Sequence, residues 1–131
     1  MNNELIKIYL GIDWGEKRVG LALADGETKL ATPFKTVANV EEVARIVKSE
    51  QVDMVIVGKP VRIMDYELEI TNEKYNNFIK DLKHEINVPV EPVDERLSSK
   101  AADALAGNKK TKASRDEIAA MIILQSYLDK I

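Results

Sequence analysis

The chain has 131 residues, 45% of them hydrophobic and 31% charged; that is the balance of a globular chain, and one domain over 1–131 with a sizeable core is expected. Nineteen Lys and Arg against 22 Asp and Glu leave a formal charge of −3, which argues against histone-like binding of nucleic acid through bulk positive charge but leaves room for a local basic patch. With no cysteine there is no disulfide scaffold, thiolate metal site or cysteine nucleophile. The start, Met1 to Glu4, is polar and acidic, and the longest apolar run, Ile118 to Leu124, is far below the roughly 20 residues of a membrane span. A cytoplasmic protein, neither secreted nor membrane-inserted, is the expectation.

Ile6, Ile8, Leu10 and Ile12 share one parity and Lys7, Tyr9, Gly11 and Asp13 the other, so a first strand carries Asp13 on the face opposite its aliphatic row. Gly15, Glu16 and Lys17 make a turn. Val19, Leu21 and Leu23 alternating with Gly20, Ala22 and Ala24 give a second strand, and Asp25-Gly26 is a hairpin signal into a third, about Lys29 to Val37. Pro33 places that third strand at a sheet edge.

The period then changes. Asn39 and Glu42 make a capping-box pattern, with Val40, Val43, Ala44 and Val47 at helical spacing, which predicts a helix of about Val40 to Gln51. Val52 to Val57 reads as a central parallel strand, and Val61 to Thr71 as a mobile loop with neither period. Tyr75, Phe78, Ile79, Leu82 and Ile86 give a second helix, Val88 to Val93 a fifth strand, and Ala101, Ala102 and Leu105 a short helix closed by Gly107. Ser114 and Glu117 form a capping box that opens a last helix through Leu128. The order β-β-β-α-β-α-β-α-α gives an α/β fold with a five-stranded mixed sheet flanked by helices, the first strand lying between the second and the fourth.

Four carboxylates stand where strands or helices end: Asp13, Asp94, Glu95 and Asp116. Each has a structural reading, as a turn cap or as a first-turn acid favoured by the helix dipole. Asp116 nonetheless shares its stripe with Ala119, Ala120 and Ile123, a face able to approach the sheet, while Glu117 is its rival on the neighbouring stripe. Converging carboxylates without a His or Cys cluster suit the hard cations Mg²⁺ and Mn²⁺, and two such ions would clamp a phosphodiester. From Arg96 to Arg115 six basic residues face the single acid Asp103, either a solvated loop or a phosphate-binding edge made by Arg96, Lys109, Lys110 and Lys112, with Lys17 and Arg18 pointing the same way. His84 reads as a surface histidine, and Trp14 and Tyr9 as packing residues that could also stack on bases.

The segments Gly11-Ile12-Asp13-Trp14-Gly15-Glu16-Lys17-Arg18-Val19-Gly20-Leu21-Ala22, Asp94-Glu95-Arg96-Leu97-Ser98-Ser99 and Asp116-Glu117-Ile118-Ala119-Ala120, with Ile123 to Leu128, resemble the YqgF/RuvX family of bacterial RNase H-like proteins nearly end to end. The resemblance implies an RNase H-like fold and a metal-dependent nuclease site in which Asp13, Asp94, Glu95 and Asp116 are the catalytic acids. Strand alternation lets only one of Asp94 and Glu95 be a direct ligand; the working metal set is Asp13, Glu95 and Asp116, with Asp94 the alternative to Glu95. The implied task is hydrolysis of structured nucleic acid: 5′-end processing of pre-16S ribosomal RNA in ribosome biogenesis, with ribosomal precursor particles as partners, or resolution of Holliday junctions in DNA recombination and repair. A non-catalytic nucleic-acid-binding assembly factor would keep the same fold. An actin-like ATPase lobe, which the first motif also resembles, would need a second lobe that 131 residues do not supply. One departure stands out: the family's Gly-Leu-Pro segment and its loop rich in Asp, Gly and Ser are here Gly58-Lys59-Pro60-Val61-Arg62-Ile63-Met64-Asp65-Tyr66.

Overall fold

A computed structural model describes residues 6–59, 65–94 and 114–131, without the side chains of 65–72 and of Asp94. Its strands are β1 (Ile8–Trp14), β2 (Val19–Asp25), β3 (Thr32–Val37), β4 (Met54–Lys59) and β5 (Val90–Asp94), and its described helices are α1 (Val40–Ser49), α2 (Asp65–Glu85) and α3 (Arg115–Leu128). The sheet order is β3-β2-β1-β4-β5, antiparallel from β1 to β3 and parallel from β1 through β4 to β5. The mixed sheet is therefore the expected one, with β1 at its centre. The short helix read at Ala101 to Gly107 lies outside the described residues.

Alternation along the strands divides the interior in two. Leu10, Ile12, Val19, Leu21, Val55 and Val57 pack with Val43, Ile46 and Val47 of α1 and Tyr75, Phe78 and Leu82 of α2. On the other face Tyr9, Ala22, Ala24 and Ile56 meet Ala120, Ile123, Leu124 and Leu128 of α3. The first layer is built from large aliphatics, each stabilising the fold by about 1.5–3 kcal/mol when fully buried. The second is thin, because β1 and β2 present Gly11, Gly20, Ala22 and Ala24 to the helix. A Cβ on Gly11 would stand 2.6 Å from Leu124 Cβ and 2.9 Å from the Ala120 carbonyl oxygen, so α3 lies almost directly on the backbone of β1.

Element ends follow local chemistry. Asn39 Oδ1 accepts from the Glu42 N–H at 3.0 Å, and Glu42 Oε2 accepts from the Ala38 N–H at 2.7 Å, closing the start of α1. That helix stops two residues before the expected Gln51, which takes the left-handed conformation at φ 55 and turns the chain away. At the hairpin Asp25 Oδ1 accepts from the Thr28 N–H at 2.8 Å and the Glu27 N–H at 3.0 Å, and the Thr28 bond foremost holds its carboxyl below the usual range. The turn consumes Lys29, also left-handed, so β3 begins at Thr32 instead of Lys29. It forms the expected edge, with Pro33 opposite Ala22 beside a register shift.

One expectation is corrected. The reading of Val61 to Thr71 as a loop fails from Asp65 onward, where α2 already begins. Asp65 and Glu67 suit the positive end of a helix dipole and Glu67, Leu68 and Glu69 are strong helix formers; periodicity misses them because a helix end needs no apolar stripe. No described helix is long and apolar enough to cross a membrane. Because Gly11 has no room for a side chain, Gly11→Ala should overpack the α3 contact and lower stability by about 1–3 kcal/mol, read as a lower midpoint in chemical denaturation.

Candidate active site

Register lines up a single row of residues across the sheet. Thr36 of β3 pairs with Gly20 of β2, Gly20 with Asp13 of β1, Asp13 with Gly58 of β4, and Gly58 with Val93 of β5. By parity with Tyr9, which packs under α3, Asp13 belongs to the α3 face. Both of its sheet neighbours are glycines, so neither register partner sets a side chain beside it. A carboxylate near the end of a central strand is thereby left half-buried and still approachable, which offsets much of the cost of burying a charge.

The last helix brings in the second carboxylate. A Cβ on Gly20 would overlap the Asp116 carbonyl and come within 2.8 Å of Asp116 Cβ. Asp13 and Asp116 therefore stand on two sides of one glycine, Asp13 beside it in the sheet and Asp116 above it. The start of α3 is fastened there by its cap: the Glu117 N–H donates to Ser114 Oγ at 3.2 Å, and the Thr36 hydroxyl donates to Glu117 Oε2 at 2.9 Å. Glu117, the rival acid in the sequence, thus closes the capping box, and Asp116 is the acid beside Asp13.

Asp94 is the last residue of β5 and pairs with Lys59, two strands or roughly 10 Å across the sheet from β1. Glu95, Arg96, Lys109, Lys110 and Lys112 lie outside the described residues. Among the described residues no three Asp, Glu, His or Cys side chains form a cation-binding group. The described donors, Asp13 and Asp116, are oxygens only, as a hard divalent cation requires. Asp116 already attracts positive charge, since Arg18 Nε forms an ion pair with its Oδ2 at 3.1 Å.

The turn between β1 and β2 is tied to α2. Lys74 Nζ meets Glu16 Oε2 at 3.0 Å, and the Trp14 ring sets its edge on Tyr75, with centroids 5.8 Å apart. Tyr9 packs against Tyr127 at 6.3 Å. Both aromatics therefore take the packing reading, and His84 is exposed as expected. Lys17 and Arg18 are exposed on this turn, at the same end of the sheet as Asp13. Sequence reading misses the roles of Gly20, Gly58 and Thr36; the glycines carry a signal, each occupying the α3-face parity of its strand.

Residues 7–130 match the family described as RuvX, Holliday junction resolvase. Two proteins named "Putative pre-16S rRNA nuclease" are similar along nearly the whole chain: one from Chloroflexus aggregans is 37% identical, covering 98% of this chain and 96% of its own, and one from Natranaerobius thermophilus is 36% identical, covering 92% and 93%. Among solved structures, Thermus thermophilus RuvC in complex with a Holliday junction substrate superposes with a TM-score of 0.69 at 17% identity, covering 94% of each chain. That likeness shows the fold, the RNase H-like arrangement of a five-stranded mixed sheet.

The two neighbouring acids of α3 should separate in experiment. Glu117→Ala removes a cap and the Thr36 bond and should lower stability by about 1–2 kcal/mol. Asp116→Ala gives up a contact to an exposed arginine and should cost no more than about 1 kcal/mol. Denaturation midpoints of the two variants give the comparison.

Proposed function

The chain belongs to the RuvX family, and on that premise we propose that it is a metal-dependent endonuclease that hydrolyses phosphodiesters of structured nucleic acid, its task being 5′-end processing of pre-16S ribosomal RNA. The observation that carries the chemistry is the pair Asp13 and Asp116 on either side of Gly20. The ribosomal substrate is favoured by the names of relatives 36–37% identical over almost their full length. Holliday junction resolution is the second reading, favoured by the family's own description. We place the enzyme, a single domain over 1–131, in the cytoplasm acting on ribosomal precursor particles.

Asp13 and Asp116 would hold Mg²⁺ or Mn²⁺, and the third carboxylate follows from alternation. Val93 packs against the α3-side cluster, so Asp94, the next and last residue of the strand, takes the opposite parity. This favours Glu95 as the ligand and leaves Asp94 as a neighbouring acid. A divalent ion in such a site supplies charge neutralisation at the phosphate and activation of water. The chain's own work is to fix the acids on the central strand and the helix start, to leave the flanks of Asp13 open through Gly20 and Gly58, and to offset substrate repulsion with cations. Lys17, Arg18, Arg96, Lys109, Lys110 and Lys112 fit that last role, gripping phosphates with little regard to sequence.

Asp13→Asn should reduce metal-dependent cleavage of labelled pre-16S rRNA and junction DNA to background while leaving binding largely in place. Cleavage by this variant at the wild-type rate would remove the catalytic assignment, and binding without cleavage by the wild type would leave an assembly factor. Neutralising Lys109, Lys110 and Lys112 together should weaken every nucleic acid by a similar factor. The salt slope of binding should fall by about one for each phosphate that a lysine no longer neutralises.

A further inference from the structure

Arg18 ends the β1–β2 turn two residues before Gly20, and its guanidinium reaches over to the first turn of α3. The Nε–Oδ2 separation from Asp116 is 3.1 Å, with the arginine side chain 73% exposed and the aspartate 16%. An ion pair with one member in solvent contributes at most about 1 kcal/mol, so stability alone does not account for it. What distinguishes the contact is its target. Asp116 is the carboxylate that Gly20 brings beside Asp13, and the arginine occupies an oxygen that a divalent ion would also use.

We propose that Arg18 is an internal counter-cation for Asp116 that gives way when the metal binds, and that the released guanidinium then takes a phosphate of the substrate. This rests on the metal-dependent nuclease reading above. Arginine is never deprotonated in proteins, so it leaves by displacement and not by loss of its charge. A divalent ion carries twice that charge and approaches oxygen at about 2.1 Å, so Coulomb attraction favours the exchange once some of its water is shed. The turn itself is held by Glu16 on Lys74 and by Trp14 on Tyr75. The exchange therefore needs only a side-chain swing of Arg18, already mostly in solvent. A planar fork of five donors suits the phosphate oxygens it would meet next. Arg18 would thus leave Asp116 for a bound cation before it joins the nucleic-acid grip.

Trp14, the chain's one tryptophan, adjoins Asp13 and gives a readout independent of cleavage. The experiment titrates the full chain with Mn²⁺, following Trp14 fluorescence and heat, for the wild type, Arg18→Gln, Asp116→Asn and Lys48→Gln, the last a charge control on α1 across the sheet. Arg18→Gln should bind Mn²⁺ more tightly by up to about fivefold, the factor that an ion pair of this kind is worth. Lys48→Gln should stay within about twofold of wild type, screened by salt and distance. In steady-state cleavage Arg18→Gln should raise KM more than it lowers kcat. Equal or weaker Mn²⁺ affinity in Arg18→Gln, with affinity abolished in Asp116→Asn, overturns the exchange and leaves the nuclease reading standing. No uptake of Mn²⁺ by the wild type overturns both.

Discussion

Everything at the candidate site depends on how closely α3 can approach β1 and β2. With ordinary side chains on the facing strands a helix is held off the sheet by their bulk; here Gly11 and Gly20 remove the spacers, and Leu124, Ala120 and Asp116 rest on strand backbone. Only that contact carries a first-turn residue of the last helix to the side of a central-strand carboxylate. The same glycines weaken the strands that bear them, by roughly 0.5–1 kcal/mol each relative to alanine. Packing of Ile123, Leu124 and Leu128 against Tyr9 and Ile56 more than offsets that cost.

The row Thr36, Gly20, Asp13, Gly58, Val93 shows how one line of register does several jobs. Thr36 anchors the cap of α3, Gly20 admits its backbone, Asp13 supplies charge, and Gly58 leaves the far flank open toward β5. It also explains part of the departure from the family pattern after β4. The retained glycine is the register partner of Asp13, where a side chain would crowd the acid. The altered residues come later, beginning at Lys59, and the chain is helical again from Asp65.

Much of this is legible in the sequence because alternation and helical spacing are direct consequences of backbone geometry. The placement of Asp13 opposite the aliphatic row, the Ser114 capping box and the Tyr75-Phe78-Leu82 stripe are of that kind. Strand ends are less legible. Composition places β4 at Val52 to Val57 and it runs Met54–Lys59, while it starts β5 at Val88 and the strand begins at Val90. Apolar residues continue past a ladder when they pack, as buried Val52 does, so composition cannot mark where pairing starts. Spacing alone does not separate Asp116 from Glu117, since both lie in the first turn of α3; the capping box with Ser114 and the family resemblance are what single out Asp116. Thr36, 81 residues from Glu117 along the chain, adds a contact that no local pattern reveals, its hydroxyl engaging Glu117.

Gathering carboxylates on one face is costly, and this chain offsets the cost before any cation arrives. Asp116 sits in the first turn of α3, where unsatisfied N–H groups give the helix a positive end. Arg18 adds a full positive charge from the neighbouring turn. Asp13 has glycines as both of its sheet partners and is only half-buried, so its carboxylate is not enclosed among apolar groups. These are three different devices: a dipole and a counter-ion act on Asp116, and partial exposure acts on Asp13. The layers holding the acids in place are packed from aliphatic and aromatic residues, and neither acid belongs to them. Folding and the chemistry of the site are thus supported by separate sets of contacts, so the carboxylates can be arranged for a cation without the fold relying on it.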